Sequence, residues 1–282
     1  NILVGNGASE IIRAIGSVYK GTFGMMLPTF NEYPESLGYE RVVMKTSQKD
    51  GFVYSIQDLK ELSDKSDNLI LINPDNPSGH FNNKDSIVEL LDYMKDTGKH
   101  LIVDESFVDF AEDGDFQSII EQDLIDTYQN LTIIKSISKS YGVPGIRLGV
   151  VVSSNVNILN KFKQEVTIWN INSFGECFLQ IIGKYRADYQ KACELIRFER
   201  DRLFDDLNTV SFLKVYRSEA NYFLCKVVQK YSSTQLAELM IEDDFYIKDL
   251  TGKESFENGE YIRIAVRDKD DNDALISKLK EL

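Results

Sequence analysis

Short apolar strands alternating with helix-period stretches constrain this chain more than any other feature of its sequence. Phe23–Leu27, Arg41–Met44, Asn68–Ile72, His100–Asp104, Leu131–Ser136 and Arg147–Val152 each read as a strand. Between most of them, apolar residues recur on one helical face. Ser9–Tyr19 carries Ile11, Ile12, Ile15 and Val18; Lys84–Thr97 carries Ile87, Leu90, Leu91 and Met94, and Gly98 suits its stop. Strands with little internal alternation, separated by helices, imply an α/β fold with a mostly parallel sheet covered on both faces. The C-terminal part is patterned differently. A charged amphipathic helix over Asp188–Leu207 precedes strands at Ser211–Val215, Asn221–Val227, Phe245–Lys248 and Tyr261–Val266, with helices at Thr234–Glu242 and from Asp270. Hairpin-like links predict a smaller α+β domain there, giving a large domain over 1–186 and a small one over 187–282. Gly252–Gly259 reads as the most exposed loop.

Charge and composition exclude several function classes. The chain of 282 residues carries 45 Asp and Glu against 32 Lys and Arg, a formal charge of −13. A binder of nucleic-acid backbones needs clustered cations, so no nucleic-acid partner is expected. A small anion is not excluded, since a few N–H groups and one arginine can hold it. No apolar run approaches the ~20 residues of a membrane span. Cys177, Cys193 and Cys225 are odd in number with no Cys-x-x-Cys pair, so we expect no disulfide framework and a reducing, cytoplasmic setting. With His80 and His100 as the only histidines, no His-rich zinc site and no metal are expected. The chain opens at Asn1 without a Met, which reads as a segment of a longer polypeptide.

Ligands of such sheets collect beyond the carboxyl ends of the strands, so unusual polar residues there matter most. Gly5-Asn6-Gly7-Ala8-Ser9-Glu10 opens a helix, and its small residues would let backbone N–H groups approach an anion. Taken alone, Ser9 is an ordinary helix cap. Asn73-Pro74-Asp75-Asn76-Pro77-Ser78-Gly79 follows a strand, and its repeated Asn-Pro pair is more than a turn requires. Asp104 ends an apolar strand and must solvate or pair its charge, which a plain salt bridge would also achieve. In Ser136-Ile137-Ser138-Lys139-Ser140 a lysine sits among hydroxyls, followed by a Gly/Pro loop and Arg147.

Together these motifs resemble those of class I/II pyridoxal-phosphate (PLP) aminotransferases of the aspartate-aminotransferase fold, fold type I. Within that family they are most similar to histidinol-phosphate aminotransferase and threonine-phosphate decarboxylase. The similarity runs in order from Gly5 to Arg263. The resemblance implies a seven-stranded, mostly parallel sheet in a large PLP-binding domain, a smaller C-terminal α+β domain, and a homodimer with the site at its interface. It also implies residue roles. Lys139 would form the Schiff base with PLP and shuttle the Cα proton. Asp104 would pair with the ring nitrogen, Asn76 would bond the phenolic oxygen, and Phe30 would stack on the ring. Ala8, Ser9, Ser136, Ser138 and Arg147 match the phosphate cup. Arg263 matches the clamp on the substrate carboxylate, and Asn172 lies where the family often has an Asn near the substrate. Strand alternation puts residues 263, 265 and 267 on one face, so Arg267 could hold a distal anion.

Two departures stand out. Most members have a Tyr where this chain has Phe107, in Asp104-Glu105-Ser106-Phe107, and a Phe here resembles the threonine-phosphate decarboxylase branch. The family's N-terminal arm, with a Tyr that reaches the partner subunit's cofactor, has no counterpart in this chain, which implies truncation. The leading expectation is amino transfer between an amino acid, plain or phosphorylated, and a keto or aldehyde acceptor. The alternatives are decarboxylation of a phosphorylated amino acid and a non-catalytic PLP-fold module of a longer protein.

Overall fold

A computed structural model describes residues 1–47, 49–257 and 259–282. The first sheet has seven strands: β1 (Ile2–Gly5), β2 (Phe23–Leu27), β3 (Val42–Thr46), β4 (Asn68–Ile72), β5 (His100–Asp104), β6 (Leu131–Lys135) and β7 (Gly149–Val152). Their spatial order is β1-β7-β6-β5-β4-β2-β3. All adjacent pairs are parallel except those of β7, which runs antiparallel to both β1 and β6. The seven-stranded, mostly parallel sheet implied by the sequence is therefore present. Strands β2, β4 and β5 have the predicted bounds.

Each central strand is buried on both sides, which explains its unbroken apolar run. Ile70 and Ile72 of β4 and Ile102 of β5 pack toward Ile11, Ile12, Ile15 and Val18 of the Ala8–Val18 helix. Leu69, Leu71, Leu101 and Val103 pack the other way, onto Ile87, Leu90, Leu91 and Met94 of the Lys84–Met94 helix. Burying each such side chain contributes about 1.5–3 kcal/mol. Helix starts are fixed by side chains, with Asn83 accepting from Ser86 N–H and Ser55 forming a capping box with Asp58.

The register sets up the site. Ile72 lies beside Asp104, and Asp104 beside Ile134. Strands β4, β5 and β6 thus end at one level, and the residues that follow them emerge on one edge.

The second sheet, β10-β11-β9-β8, is antiparallel throughout and comprises β8 (Leu213–Val215), β9 (Tyr222–Val227), β10 (Lys248–Asp249) and β11 (Glu260–Ala265). Leu203 and Leu207 of the Arg186–Leu207 helix, Leu236 and Met240 of Ser233–Ile241, and Leu279 of Lys269–Glu281 cover one face. Phe107, Ala220, Cys193 and Tyr222 form a small cluster joining the two sheets' territories. The predicted exposed loop at 252–259 is anchored by Phe256, buried and stacked on Tyr261 at 4.3 Å. Asn258 of that loop lies outside the described residues. Among the described residues no helix is long and apolar enough to cross a membrane.

Candidate active site

The turns after β4, β5 and β6 converge as the strand ends require. Asp104 is buried and its carboxylate is held from three directions. Tyr33 donates its hydroxyl to Oδ2 at 2.8 Å, and Ser106 donates its N–H (2.9 Å) and hydroxyl (2.5 Å) to Oδ1. The Ser106 hydroxyl also accepts from Ser136 N–H at 3.0 Å, which ties the end of β5 to that of β6. Charge-assisted bonds of this kind are what allow a carboxylate to be buried at all. Burial and the neighbouring Asp104 charge push the Tyr33 phenol well above its ordinary value, so it stays a donor.

Lys139 lies on the four-residue helix Ile137–Ser140. Its Nζ is 4.7 Å from the centre of the Phe30 ring and 4.9 Å from that of Phe107. The side chain is exposed by area because the cleft is open, yet protein surrounds its ammonium, and those neighbours set its proton affinity. Desolvation lowers its pKa first, Asp104 opposes the shift, and Arg263 and Arg147 add to it.

Asn76 and Arg263 are joined directly, with Arg263 Nη1 donating to Asn76 Oδ1 at 2.7 Å. The Arg263 guanidinium also lies 5.1 Å from the Tyr222 ring centre, and Tyr222 donates its hydroxyl to the Asp75 carbonyl at 2.9 Å. Asp75 itself is buried behind Asn76, and desolvation pushes its pKa up to about 7 against hydrogen bonds from Thr29 and Ser78. The peptide bonds Asn73–Pro74 and Asn76–Pro77 are cis.

At the other end of the cleft Arg147 Nη2 donates to Ser9 Oγ at 3.1 Å, beside the start of the Ala8–Val18 helix. Arg147 has a φ of 58°, a left-handed conformation that non-glycine residues adopt at a cost, which is why β7 begins only at Gly149. Gly7, at a φ of 86°, makes the approach possible, since a Cβ there would sit 2.3 Å from Arg147 Nη2. A guanidinium, a hydroxyl and a helix N-terminus around a turn that admits no side chain fit a phosphate group. Ala8 and Ser9 stand in this cradle. Ser138 is turned partly to structure, because its Oγ accepts from Leu148 N–H at 2.7 Å.

Two predicted substrate residues are not brought to the cleft. Arg267 forms a surface ion pair with Asp271 at 2.8 Å. Val266 N–H still bonds Asn221 O at 2.9 Å, but the chain then turns for Asp268 to cap the last helix, and the Arg267 guanidinium is drawn to Asp271 on that helix's first turn. Asn172 caps the Ser173–Ile181 helix, accepting from Gly175 N–H at 2.9 Å, while its Nδ2 donates to Ile146 O at 2.8 Å. Both ends of its amide are thereby engaged. The neighbouring Asn170 donates to Val4 O, and its Oδ1 is buried without a partner among the described residues.

Sequence reasoning missed Tyr33, Tyr222 and Lys253. Lys253 sits on the turn after β10, beside Asn31, Asn76 and Arg263, where its ammonium donates to Asn31 Oδ1. A Tyr three residues after Phe30, one helical turn away, is the signal that would have found Tyr33.

Comparison with known proteins gives this geometry a context. A family model described as aminotransferase class I and II matches residues 1–279. An L-serine phosphate decarboxylase from Campylobacter jejuni is 32% identical over 288 residues, covering 99% of this chain and 73% of its own. The structure of a decarboxylase from Sulfurospirillum multivorans superposes with a TM-score of 0.89 at 28% identity, covering 100% of this chain and 81% of that one. A histidinol-phosphate aminotransferase from Clostridium acetobutylicum gives a TM-score of 0.89 at 28% identity, covering 99% and 83%.

Proposed function

The chain belongs to the aminotransferase class I and II family, and from that premise we propose that it removes the carboxylate of a phosphorylated amino acid. Members of this family use PLP. The residues present fit that group. Arg147, Ser9 and the Gly7 turn would hold its phosphate, Asp104 its ring nitrogen, Phe30 its ring face and Lys139 its reactive carbon. When bound, the cofactor supplies an electron sink for the bond broken at the substrate Cα.

The chain's own groups supply the rest. Arg263 binds the substrate carboxylate and is itself positioned by Asn76. The Cα–carboxylate bond breaks, CO₂ leaves without its bonding electrons, and a proton delivered by Lys139 takes its place at Cα. Desolvation lowers the pKa of Lys139, which makes its ammonium a readier proton donor than that of an ordinary lysine.

Phe107 is the observation that carries this reading. It sets an apolar ring against Lys139 where the family more often has a phenol. Tyr222, packed edge-on against Phe107 at 5.1 Å, spends its hydroxyl on Asp75, and Tyr33 spends its own on Asp104. An apolar wall favours conversion of a charged carboxylate into neutral CO₂. Decarboxylases among its relatives support the same reading.

Amino transfer to a keto acid is the second reading, supported by the intact Asn76–Arg263 arrangement and by the family's namesake activity. A homodimer belongs to either reading. Ile168, Trp169 and Phe174 are 93, 93 and 81% exposed and offer an apolar strip for a second copy. The deciding experiment incubates PLP-loaded protein with O-phospho-L-serine, with and without 2-oxoglutarate. We expect CO₂ and phosphoethanolamine in equal amounts, independent of the keto acid. Glutamate formation without CO₂ would establish the second reading, and bound cofactor with neither product would leave a non-catalytic module.

A further inference from the structure

We propose that Lys253 selects the substrate, holding its distal phosphate while Arg263 takes its carboxylate. The inference rests on the phosphorylated amino acid of the preceding reading and adds the residue that recognises it.

The cleft beside Asn76 has a volume of about 350 Å³ and is lined by Phe30, Asn31, Asn76, Lys248, Lys253 and Arg263. Three cations and one carboxylate residue line it, and that carboxylate, Asp249, accepts hydrogen bonds from Thr234 and Thr251. The partners of the two inner cations are neutral amides, Asn31 for Lys253 and Asn76 for Arg263. Neither cation forms an ion pair with a carboxylate among the described residues. Asp75, Glu254 and Glu35 act on Lys253 only as more distant charges, while Arg263 repels it. Like charges held together with no carboxylate in contact in a partly desolvated cleft are costly, and a ligand that brings negative charge lowers the cost.

The two cations differ in the anion they suit. A guanidinium presents a planar fork that matches a carboxylate, whereas an ammonium is a point charge suited to any face of a phosphate. An amino acid with a phosphate on its side chain carries both anions at the separation of one small molecule. The opposite end of the site, at Arg147, is suited to the cofactor's phosphate and remains distinct from this subsite. Arg267, which the sequence offered for the distal anion, is spent on Asp271. Lys253 fills that role from a turn whose anchor is the buried Phe256.

The test compares Lys253→Gln and Lys253→Arg with the parent, all loaded with PLP so that the Arg147 cradle is filled. For O-phospho-L-serine, Lys253→Gln should raise KM roughly 10- to 100-fold, the worth of one charge-assisted contact, with kcat changed by less than about threefold. Lys253→Arg should recover part of the loss. The KM for plain L-serine should not move. Equal loss on both substrates, or no change on either, would overturn the assignment. Calorimetric titration with inorganic phosphate decides independently of turnover. The parent should bind it and Lys253→Gln should bind it at least about tenfold more weakly. Equal binding by both, or none by the parent, would also overturn it. A parent that binds phosphate through Lys253 yet converts no phosphorylated amino acid would refute the decarboxylase reading and leave the subsite standing.

Discussion

The floor and the mouth of the cleft solve opposite problems. At the floor Asp104 is buried and each carboxylate oxygen is held by a donor, Oδ2 by Tyr33 and Oδ1 by Ser106. At the mouth Lys253 and Arg263 lean on amides, with no carboxylate in contact among the described residues. The floor is complete before a ligand arrives, so it orients. The mouth is incomplete without one, so it selects. Pre-paired groups lower the cost of reorganisation during reaction, and unpaired ones lower the free energy of binding.

The largest effect that could break this contrast lies between the two regions, at Lys139. Lys139→Ala should reduce turnover by roughly 10⁴-fold and abolish the absorbance of the lysine-attached cofactor. The depressed pKa adds a pH signature. A lysine with its ordinary value is almost wholly protonated at neutral pH, so the neutral, reactive amine should persist to lower pH here than on an exposed lysine. Cofactor attachment measured against pH should therefore show its midpoint below 10.5, falling as the solution becomes more acidic. A midpoint at or above that value would contradict the surroundings described.

A smaller change tests the floor alone. Tyr33→Phe removes the donor to Asp104 Oδ2 and should destabilise the cofactor-free protein by about 1–3 kcal/mol, read from the denaturant midpoint. Cofactor affinity should hold or improve, because the freed oxygen gains a partner only when the ring nitrogen arrives. Weaker cofactor binding with unchanged stability would show that Tyr33 serves the ligand directly and that the floor is not finished in advance.

The smallest effect should come from Asn172→Ala. It removes a helix cap and should cost about 1 kcal/mol of stability with KM unchanged. A raised KM would restore Asn172 to the substrate-binding set and extend the mouth beyond the Lys253 turn.

Much of this arrangement was legible in the sequence because it lies at strand ends. Strands β4 and β5 are short, apolar and buried on both sides, so their limits coincide with the first polar residues, and those residues are Asn73 and Asp104. Lys139, Asn76 and Arg147 stand out by their motifs, while the roles given to them come from the family resemblance. What escaped depends on contacts across the fold. Tyr33 lies in the six-residue Glu32–Leu37 helix, 71 positions from the carboxylate it serves. Lys253 sits in a loop whose composition looks merely exposed, and its meaning depends on the turn bringing it beside Arg263. Arg267 illustrates the opposite error. A two-residue period gives the face of a strand but not the reach of its side chain, and the Arg267 guanidinium goes to Asp271 at the start of the last helix.

The cations of the cleft also have a consequence for kinetics. With a formal charge of −13, the protein as a whole repels an approaching anion, while the cleft attracts it once it is near. At 0.1 M salt the screening length is about 10 Å, so the overall charge is largely damped at greater distances, and close to the cleft Lys253, Arg263 and Lys139 dominate. Added salt therefore quickens arrival by damping the long-range repulsion and, at higher concentration, loosens the hold of the cleft. We expect capture of an anionic substrate to be fastest at an intermediate ionic strength, with the cleft working as a short-range filter.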